Sequence, residues 1–591
     1  MEETTPKKVT EEDPAEDRQT LKTTCRQFWL ISKAFFASER RHKARGFLIA
    51  LLLLALAVGA IQVLMSYAGR DFMTAITDKN PPAYWKALGW YLGSFALAIP
   101  IGVYYRWVEE RLALLWREWM AQHLVKRYFN NRAYFRLLGS ESVDNPDQRI
   151  SEDVRNFTTS SLAFLLIVLN STVTLVAFVG VLWMISGTLV VTLVVYAVAG
   201  TAVSVLIGRK LVGLHYHQYE KEADFRYGLV RVRDNAESIA FYRGEKREHL
   251  DLFKRLSAAV ANMQLIIIRN RHLAFFTNSY NYLALILPVL VVAPMYMQGK
   301  VHFGVVTQAA GAFGQVLTAV SLIITQFGQL SAYLAGVQRL GSLWDQLDEH
   351  DAEETRISDE ADKTPEENCH IVRLDKLTIC TPGKGKMLVN DLSFELHAGQ
   401  SLIIMGASGT GKSSVLRTIA GLWYGASGIL ERPAFNQLMF LPQRPYMVEG
   451  SLRDQLLYPY PDRGATDEEI HAIVDAVNLS DVFERVDNDL ARVVDWGNVL
   501  SLGEQQRVGF ARLFLRKPKF AFLDEATSAL DEDNQQTLYQ SIRNSEIGFI
   551  SVGHRETLIQ YHDRLLKLDR SGSWEIHDND PAQGAAGTTP S

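Results

Sequence analysis

Long apolar runs alternate with hydrophilic stretches over the first 340 residues of the chain. A helix needs about 20 apolar residues to cross the roughly 30 Å hydrocarbon core, because every backbone polar group must be satisfied inside the segment. Six runs meet this requirement: 47–65, 87–105, 162–185, 187–208, 273–299 and 303–338. The pattern therefore predicts a bundle of six transmembrane helices, with the lipid bilayer as a partner of the chain.

The hydrophilic segments between these runs indicate the orientation. Segments 40–45, 106–155 and 209–271 are rich in Lys and Arg, so the positive-inside rule places them in the cytoplasm. Both termini then lie in the cytoplasm as well. The two long segments have helical patterns, which predicts that the spans continue some distance beyond the membrane.

Residues 341–591 carry regularly spaced charges and predict a soluble domain. The net charge of −5 supplies no basic field for nucleic acid, so a nucleic-acid partner is not expected. The three cysteines, Cys25, Cys369 and Cys380, show no metal-binding spacing and are expected to be free thiols.

The first motif with a chemical role in the soluble half is a glycine-rich loop. The apolar strand 401–405 runs directly into a P-loop, whose predicted ATP-binding residues are Gly406, Ala407, Ser408, Gly409, Thr410, Gly411, Lys412, Ser413 and Ser414. Its backbone N–H groups close around phosphate oxygens, Lys412 reaches the β- and γ-phosphates, and Ser413 offers its hydroxyl to Mg²⁺. A helix is predicted to start here and to direct its N-terminal dipole at the same anion.

A second apolar strand, 520–523, ends in two acids, Asp524 and Glu525. Downstream of a P-loop this is a Walker B sequence. Asp524 is placed to hold the metal shell, and Glu525 to polarise the water that attacks the γ-phosphate.

Between these two motifs, residues 500–507 read LSLGEQQR and resemble the LSGGQ signature of ATP-binding cassette proteins. Leu502 and Glu504 depart from the consensus. Ser501 and Gly503 keep a hydroxyl and a close backbone approach at a predicted helix N-terminus. The resemblance implies that Ser501, Gly503 and Glu504 bind the γ-phosphate of ATP held by a partner subunit.

Other family elements follow in order along the chain. Gln443 resembles the Q-loop glutamine, 528–531 the D-loop, and His554 the switch histidine. The resemblance implies catalytic roles for Gln443 and His554 beside Glu525, and a place for Gln443 at the Mg²⁺ with Ser413 and Asp524. One element is missing, because residues 377–382 offer no aromatic side chain to stack on adenine.

The resemblance is to one subfamily of these proteins in particular, and it is carried by segments 222–244, 441–446 and 451–456. This subfamily includes the peroxisomal acyl-CoA half-transporters, the lysosomal cobalamin transporter and the bacterial BacA-related and YddA-like transporters. The resemblance implies an exporter-type α-helical membrane bundle fused to an α/β P-loop ATPase domain. It also implies a homodimer with two ATP sites, and the expected location is the bacterial inner membrane.

These patterns divide the chain into five segments. They are a cytoplasmic tail with an interfacial helix (1–45), the transmembrane domain (46–340), an acidic linker (341–368), the ATP-binding cassette domain (369–577) and an unstructured tail (578–591).

Three glutamines bear on the cargo. Gln308, Gln315 and Gln326 of the last span lie within about 20° of one helical face. Such a stripe predicts a water-filled cavity and hydrophilic cargo, such as cobalamin-like molecules or peptides, although the amides could instead bond to neighbouring helices. A lipid or acyl-CoA transporter and a membrane-anchored regulatory ATPase are the alternatives, and the direction of transport stays open.

Overall fold

A computed structural model of the chain describes residues 14–137, 145–325, 327–361, 370–381, 385–423, 425–460, 464–487 and 489–579. The chain divides into two compact units, Met1–Arg356 and Ile357–Ser591.

Helices make up the described part of the first unit, which suits a segment whose backbone must satisfy its own hydrogen bonds in hydrocarbon. They are α1 Pro14–Ala37, α2 Arg41–Thr77, α3 Pro81–Phe129, α4 Ala133–Leu137, α5 Pro146–Gln148, α6 Val154–Ile185, α7 Gly187–Asp234, α8 Ala236–Tyr242, α9 Glu245–Met297, α10 Phe303–Thr325 and α11 Phe327–Ala361. A π-helical turn, Arg149–Asp153, joins α5 to α6.

Six helical segments in the described part of the chain are long and apolar enough to cross a membrane. They are Arg41–Thr77, Pro81–Phe129, Pro146–Ile185, Gly187–Asp234, Glu245–Met297 and Phe303–Val320. These segments coincide with the six predicted runs, so the predicted bundle is confirmed. Helices α3, α7 and α9 extend far beyond the apolar residues, as the helical pattern of the hydrophilic segments predicted.

The end of the first unit differs from the prediction. Helices α10 and α11 cover the run 303–338 on either side of Gln326, which lies outside the described residues. Helix α11 continues to Ala361, so the first part of the predicted acidic linker is helical. Its apolar residues Leu340, Leu343 and Leu347 recur at helical spacing and are buried, and Asp348 pairs with Arg127 of α3 at 2.5 Å.

Helix α1 lies within the segment predicted as a tail with an interfacial helix, and residues 1–13 of that segment lie outside the described residues. Residues 580–591 of the predicted C-terminal tail and residues 362–368 of the linker lie outside the described residues. Cys25 and Cys380 are free thiols, as expected, while Cys369 also lies outside the description.

The second unit is an α/β domain. Its strands are β1 Ile371–Cys380, β2 Met387–His397, β3 Ser401–Gly406, β4 Ala426–Glu431, β5 Leu438–Leu441, β6 Gly450–Ser451, β7 Val493–Val494, β8 Phe520–Asp524, β9 Gly548–Val552, β10 Arg564–Leu568 and β11 Trp574–Asp578. Its helices are α12 Lys412–Ile419, α13 Leu452–Leu457, α14 Asp467–Ala476, α15 Ser480–Glu484, α16 Trp496–Val499, α17 Leu502–Arg516 and α18 Glu532–Arg543.

The main sheet has six strands in the order β11-β10-β3-β9-β8-β5. The strands β10, β3, β9, β8 and β5 are parallel, and only β11 runs antiparallel to its neighbour. Strands β3, β8 and β9 are almost fully buried, as expected for parallel strands covered on both faces. A separate antiparallel sheet has the order β2-β1-β4.

A histidine is buried against strand β9 of the main sheet. His562 is fully buried, with Nδ1 2.8 Å from the Leu558 carbonyl oxygen and Nε2 2.8 Å from Ser551 Oγ. Because the carbonyl can only accept, Nδ1 carries the proton and Nε2 accepts from the hydroxyl. Burial lowers the pKa of His562 to about 4.

This histidine should make the folded chain sensitive to acid. Between its ordinary pKa of 6.5 and about 4, the unfolded chain binds a proton that the folded chain excludes, so stability falls as pH falls. The loss should be on the order of 2 kcal/mol at pH 5. Urea unfolding of detergent-solubilised protein, followed by tryptophan fluorescence at neutral pH and at pH near 5, should show a smaller pH effect for His562→Gln. His577→Gln, at an exposed position, serves as the control, and an unchanged pH effect in His562→Gln would contradict the prediction.

Candidate functional site

The P-loop lies at the carboxyl end of β3, at the centre of the parallel sheet. Gly406 and Gly409 have φ angles of 153° and 83°, which other residues rarely adopt. A Cβ on Gly406 would lie 2.3 Å from the Leu568 carbonyl oxygen, so only glycine fits there. Helix α12 then starts at Lys412 and directs its N-terminus into the loop.

The ammonium group of Lys412 lies inside this loop. Its Nζ donates hydrogen bonds of 2.9 Å to the carbonyl oxygens of Gly406 and Ala407. Burial lowers the pKa of Lys412, while the negative charges of Glu525 and Asp524 act in the opposite direction. The P-loop therefore presents a cation, glycine-rich backbone and a helix N-terminus at one point, as phosphate binding requires.

Two oxygen-bearing side chains predicted at the metal meet beside Lys412. Ser413 Oγ donates a 2.8 Å hydrogen bond to Asp524 Oδ1, although the two residues lie 111 positions apart in the chain. The contact follows from the sheet order, because β9 pairs with both β3 and β8. The carboxyl ends of parallel strands thus bring the P-loop and the Walker B acids to one edge.

The carboxylate of Glu525 is held by two of the predicted catalytic residues. Gln443 Nε2 donates to Glu525 Oε2 at 3.1 Å, and His554 Nε2 lies 3.1 Å from Glu525 Oε1. Glu525 itself has a φ of 50°, and its N–H donates to the Val552 carbonyl at the end of β9. This left-handed backbone turns the side chain out of the line of β8, toward Gln443 and His554.

The signature residues form a capped helix start. Ser501 Oγ accepts from the Glu504 N–H at 3.3 Å, and the Glu504 carboxylate accepts from the Ser501 N–H at 2.8 Å, which is a capping box. Gly503 lies against the D-loop, since a Cβ there would be 3.1 Å from the Ala529 carbonyl oxygen. In the described part of the chain, the side-chain bonds of Ser501 and Glu504 stay within the box and reach Arg485, away from the P-loop.

Arg485 was not predicted from the sequence. It follows α15 and forms an ion pair with Glu504 across 19 residues. Burial would raise the pKa of Glu504, but the hydrogen bonds from Ser501 and the charge of Arg485 outweigh burial and lower it. The departure from the consensus at Glu504 therefore places a negative charge at the helix start, together with a cation that neutralises it.

Gln506 was also given no role by the sequence, although it lies inside the signature. Only 1% of it is exposed, and its amide bonds to the Q-loop, the residue after Walker B Asp524 and the D-loop. The position of Gln506 on the signature helix can be read from the sequence, but nothing local indicates that it is buried or what it contacts.

The segment in which an aromatic residue for adenine is missing is only partly described. Strand β1 ends at Cys380, and its carbonyl oxygen accepts from Trp423 Nε1 at 2.9 Å. Pro382 lies outside the described residues. The aliphatic or proline surface expected for adenine stays a prediction.

The three glutamines of the last span do not share one environment. Gln308 is buried, with 5% exposed, and its Nε2 has no hydrogen-bond partner, whereas Gln315 is exposed. Helix packing decides the difference, because α10 packs against α2, α6 and α9. The predicted single stripe is therefore wrong for Gln308, and Gln326 lies outside the described residues.

Two family descriptions match the chain. Residues 31–297 match the family described as ABC transporter transmembrane region 2, and residues 389–528 match the family described as ABC transporter. The second match contains the P-loop, the signature and the Walker B acids.

Relatives match most of the chain. A protein of Arabidopsis thaliana named ABC transporter D family member 2, chloroplastic, is 38% identical, covering 95% of this chain and 89% of its own length. The lysosomal cobalamin transporter of Homo sapiens is 35% identical over 79% of this chain and 82% of its own. The structure of a bacterial Atm1-family ABC exporter with ATP bound has a TM-score of 0.68 at 20% identity, covering 93% of this chain and 99% of its own, which shows the same fold.

The contacts of Lys412 and Glu525 predict that substitution of either residue slows hydrolysis, with different effects on ATP binding. Lys412→Ala removes the cation from the P-loop and should reduce both ATP binding and turnover. Glu525→Gln keeps the shape and the contact with Gln443, so it should bind ATP, lose turnover by roughly 100-fold or more and accumulate ATP-bound dimers. Equilibrium ATP binding, phosphate release and light scattering in detergent distinguish these outcomes. Normal hydrolysis by either variant would refute the corresponding role.

The ion pair of Arg485 with Glu504 predicts a charge-dependent effect. An unneutralised carboxylate about 5 Å from a phosphate would repel it by about 3 kcal/mol at an effective dielectric constant of about 20. Arg485→Ala should therefore raise the ATP concentration for half-maximal hydrolysis by roughly 100-fold. Adding Glu504→Gln to that variant should remove most of the increase.

Arg492→Ala is the matched control for Arg485→Ala, because Arg492 pairs with Asp487 at 2.9 Å in the same stretch. It should leave the ATP requirement unchanged. If the double variant is as impaired as Arg485→Ala alone, Arg485 stabilises the fold and does not neutralise Glu504.

Proposed function

The chain belongs to the family of ATP-binding cassette transporters, and from this premise we propose that it moves hydrophilic compounds across a membrane as a homodimer. The ATPase domain, the membrane region and the exporter-type fold make it an ATP-hydrolysing half-transporter. The proposed cargo is a polar solute such as a cobalamin-like molecule or a peptide. The proposed location is the bacterial inner membrane, with the ATPase unit and both termini in the cytoplasm.

For hydrolysis we propose roles that follow from the contacts. Lys412 and the P-loop backbone bind the β- and γ-phosphates, and Glu525 accepts a hydrogen bond from the attacking water and polarises it. Gln443 and His554 hold the two oxygens of the Glu525 carboxylate in place. With both oxygens engaged, the carboxylate has a defined direction in which it can orient a water molecule.

The donor set near Ser413 fits Mg²⁺. The Ser413 hydroxyl and the Asp524 carboxylate are hard oxygen ligands 2.8 Å apart. The amide of Gln443 donates a hydrogen bond to Glu525, the residue after Asp524. Ser413, Asp524 and Gln443 are therefore proposed to hold the ion. When bound, Mg²⁺ neutralises charge on the β- and γ-phosphates.

The division of the site between two places on the chain supports the proposal of a homodimer. The P-loop lies at the carboxyl end of β3, whereas Ser501 caps α17 and makes its side-chain bonds within the capping box. We propose that the signature of a second copy completes each ATP site. One P-loop and one signature per chain then give two complete sites per dimer.

The exposed face of α10 carries the proposal of a hydrophilic cargo. Gly311, Gln315 and Thr318 are exposed, and their spacing of four and three residues places them on one face. Between residues 303 and 320 no large apolar side chain is exposed. Helix α7, by contrast, exposes Val191 and Val195.

Lipid-facing helix surfaces are apolar, so the small and polar face of α10 suits water or a polar partner. Helix α9 adds the exposed amides of Asn278 and Asn281 within its span. Exposed amides on two spans support a translocation path that is lined by hydrogen-bonding groups.

A second candidate cargo is a fatty acyl compound, because one cavity in the bundle is apolar. It has a volume of about 510 Å³ and lies between α6, α7 and α10, where it is lined by Leu175, Val179, Leu193, Ala197, Val316 and Val320, among others. Such a lining would hold an acyl chain, but it offers a polar solute little beyond the Thr201 hydroxyl.

The two environments on α10 predict different effects of the same substitution. Gln315→Leu removes an exposed amide and should reduce ATP-dependent transport of a polar cargo severalfold, while basal ATPase activity persists. Gln308→Leu is the matched control, because it removes a buried amide whose Nε2 has no partner. It should leave thermal stability unchanged or higher.

Proteoliposomes with cyanocobalamin, a short peptide and a fatty acyl-CoA as probes measure both effects, through cargo movement and stimulation of ATPase activity. Stimulation by acyl-CoA alone would favour the second candidate. If Gln315→Leu transports polar probes as well as the unmodified protein, the exposed face of α10 does not line the path.

A further inference from the structure

One buried side chain joins three segments that surround the proposed site of hydrolysis. Gln506 Nε2 lies 2.8 Å from the Gln443 carbonyl oxygen, 3.2 Å from Ser528 Oγ and 3.4 Å from the Glu525 carbonyl oxygen. Its Oε1 accepts from the Ala529 N–H at 3.1 Å. With 1% exposed, the amide has no access to water that could replace these partners.

The partners of Gln506 are the backbones of residues whose side chains act together. Gln443 donates its own amide to the carboxylate of Glu525, and both residues offer a main-chain carbonyl to Gln506. The position of the Gln506 amide therefore determines how the backbones of Gln443 and Glu525 lie relative to each other. A shift of about 1 Å in such an arrangement is enough to slow catalysis greatly.

Helix α17 connects this amide to the signature. Ser501 caps the helix, and Gln506 follows five residues later, about 7.5 Å along the axis. The same helix is held further on by Arg512, which is buried and donates to the carbonyl oxygens of Gln455 and Tyr446. The helix can therefore move Gln506 only together with its capped start.

We propose that Gln506 is a positioning residue that sets the geometry of Glu525 and Gln443 according to the position of the signature helix. The proposal rests on the proposed function, in which Ser501 engages ATP bound to the partner subunit. Movement of α17 on that engagement shifts the Gln506 amide, and through it the Q-loop carbonyl, the Glu525 backbone and the D-loop. Hydrolysis at a site then depends on whether the signature of the same chain is engaged at the other site.

Gln506→Glu tests the donor half of this contact. The introduced carboxylate can still accept from the Ala529 N–H, but it repels the carbonyl oxygens of Gln443 and Glu525. The expected result is a kcat lower by roughly 10- to 100-fold, with an ATP KM within about threefold of the unmodified protein. Protonation restores one donor, so the ratio of the variant's kcat to that of the unmodified protein should rise as pH falls.

Gln505→Glu is the matched control. Gln505 lies next to Gln506 on α17 and is also buried, but its amide donates to Gly497 and Leu500, in the segment before the signature. It should show the same change in thermal stability as Gln506→Glu, without the large loss of kcat and without recovery at low pH.

Gln506→Met is the second variant, used if the carboxylate prevents folding. It keeps the side-chain length without a strong donor or acceptor, so kcat should fall similarly and show no recovery at low pH. Equal kcat in the Gln505 and Gln506 variants, or a loss confined to KM, would overturn the proposal. A Glu525→Gln protein that hydrolyses ATP normally would instead refute the proposed function, and the two failures are thus distinguishable.

Discussion

Parallel pairing of β3, β9 and β8 is the constraint on which the ATPase unit depends. These buried strands carry the P-loop, His554 and the Walker B acids just beyond their carboxyl ends, and parallel pairing brings those ends to one edge of the sheet. The 2.8 Å contact of Ser413 with Asp524 and the 3.1 Å contact of Glu525 with His554 follow from this arrangement. Parallel pairing of β5 with β8 adds the 3.1 Å contact of Glu525 with Gln443.

Helix α17 ties the rest of the unit to that edge through three buried side chains. Gln505 holds the segment before the signature, Gln506 holds the Q-loop and D-loop, and Arg512 holds the backbone near Tyr446. Burial makes these bonds costly to break, because no water replaces a lost partner. A helix held at three points moves as one body, which is the physical basis for linking the signature to hydrolysis.

The membrane unit obeys a different constraint, the satisfaction of backbone groups in hydrocarbon. It accounts for six long helices, but it does not distinguish surfaces that meet lipid from those that meet water. The contrast between Val191 and Val195 of α7 and Gln315 of α10 makes that distinction, since all three are exposed in the chain. The cargo proposal therefore depends on side-chain exposure and not on the number of spans.

The sequence by itself determined the features that depend on neighbouring residues. These are the six apolar runs, the P-loop, the Walker B acids and the family signature, because the pattern of each lies within a short stretch of the chain, of about 20 residues. Tertiary structure decided what depends on distant partners. Burial of Gln308 beside exposure of Gln315, the pairing of Arg485 with Glu504 and the contacts of Gln506 join residues that no local pattern relates. The physical reason is that helix packing and strand order select these contacts. The hydrogen bond of Gln506 with Gln443 joins residues 63 positions apart, so it produces no periodic pattern in the sequence.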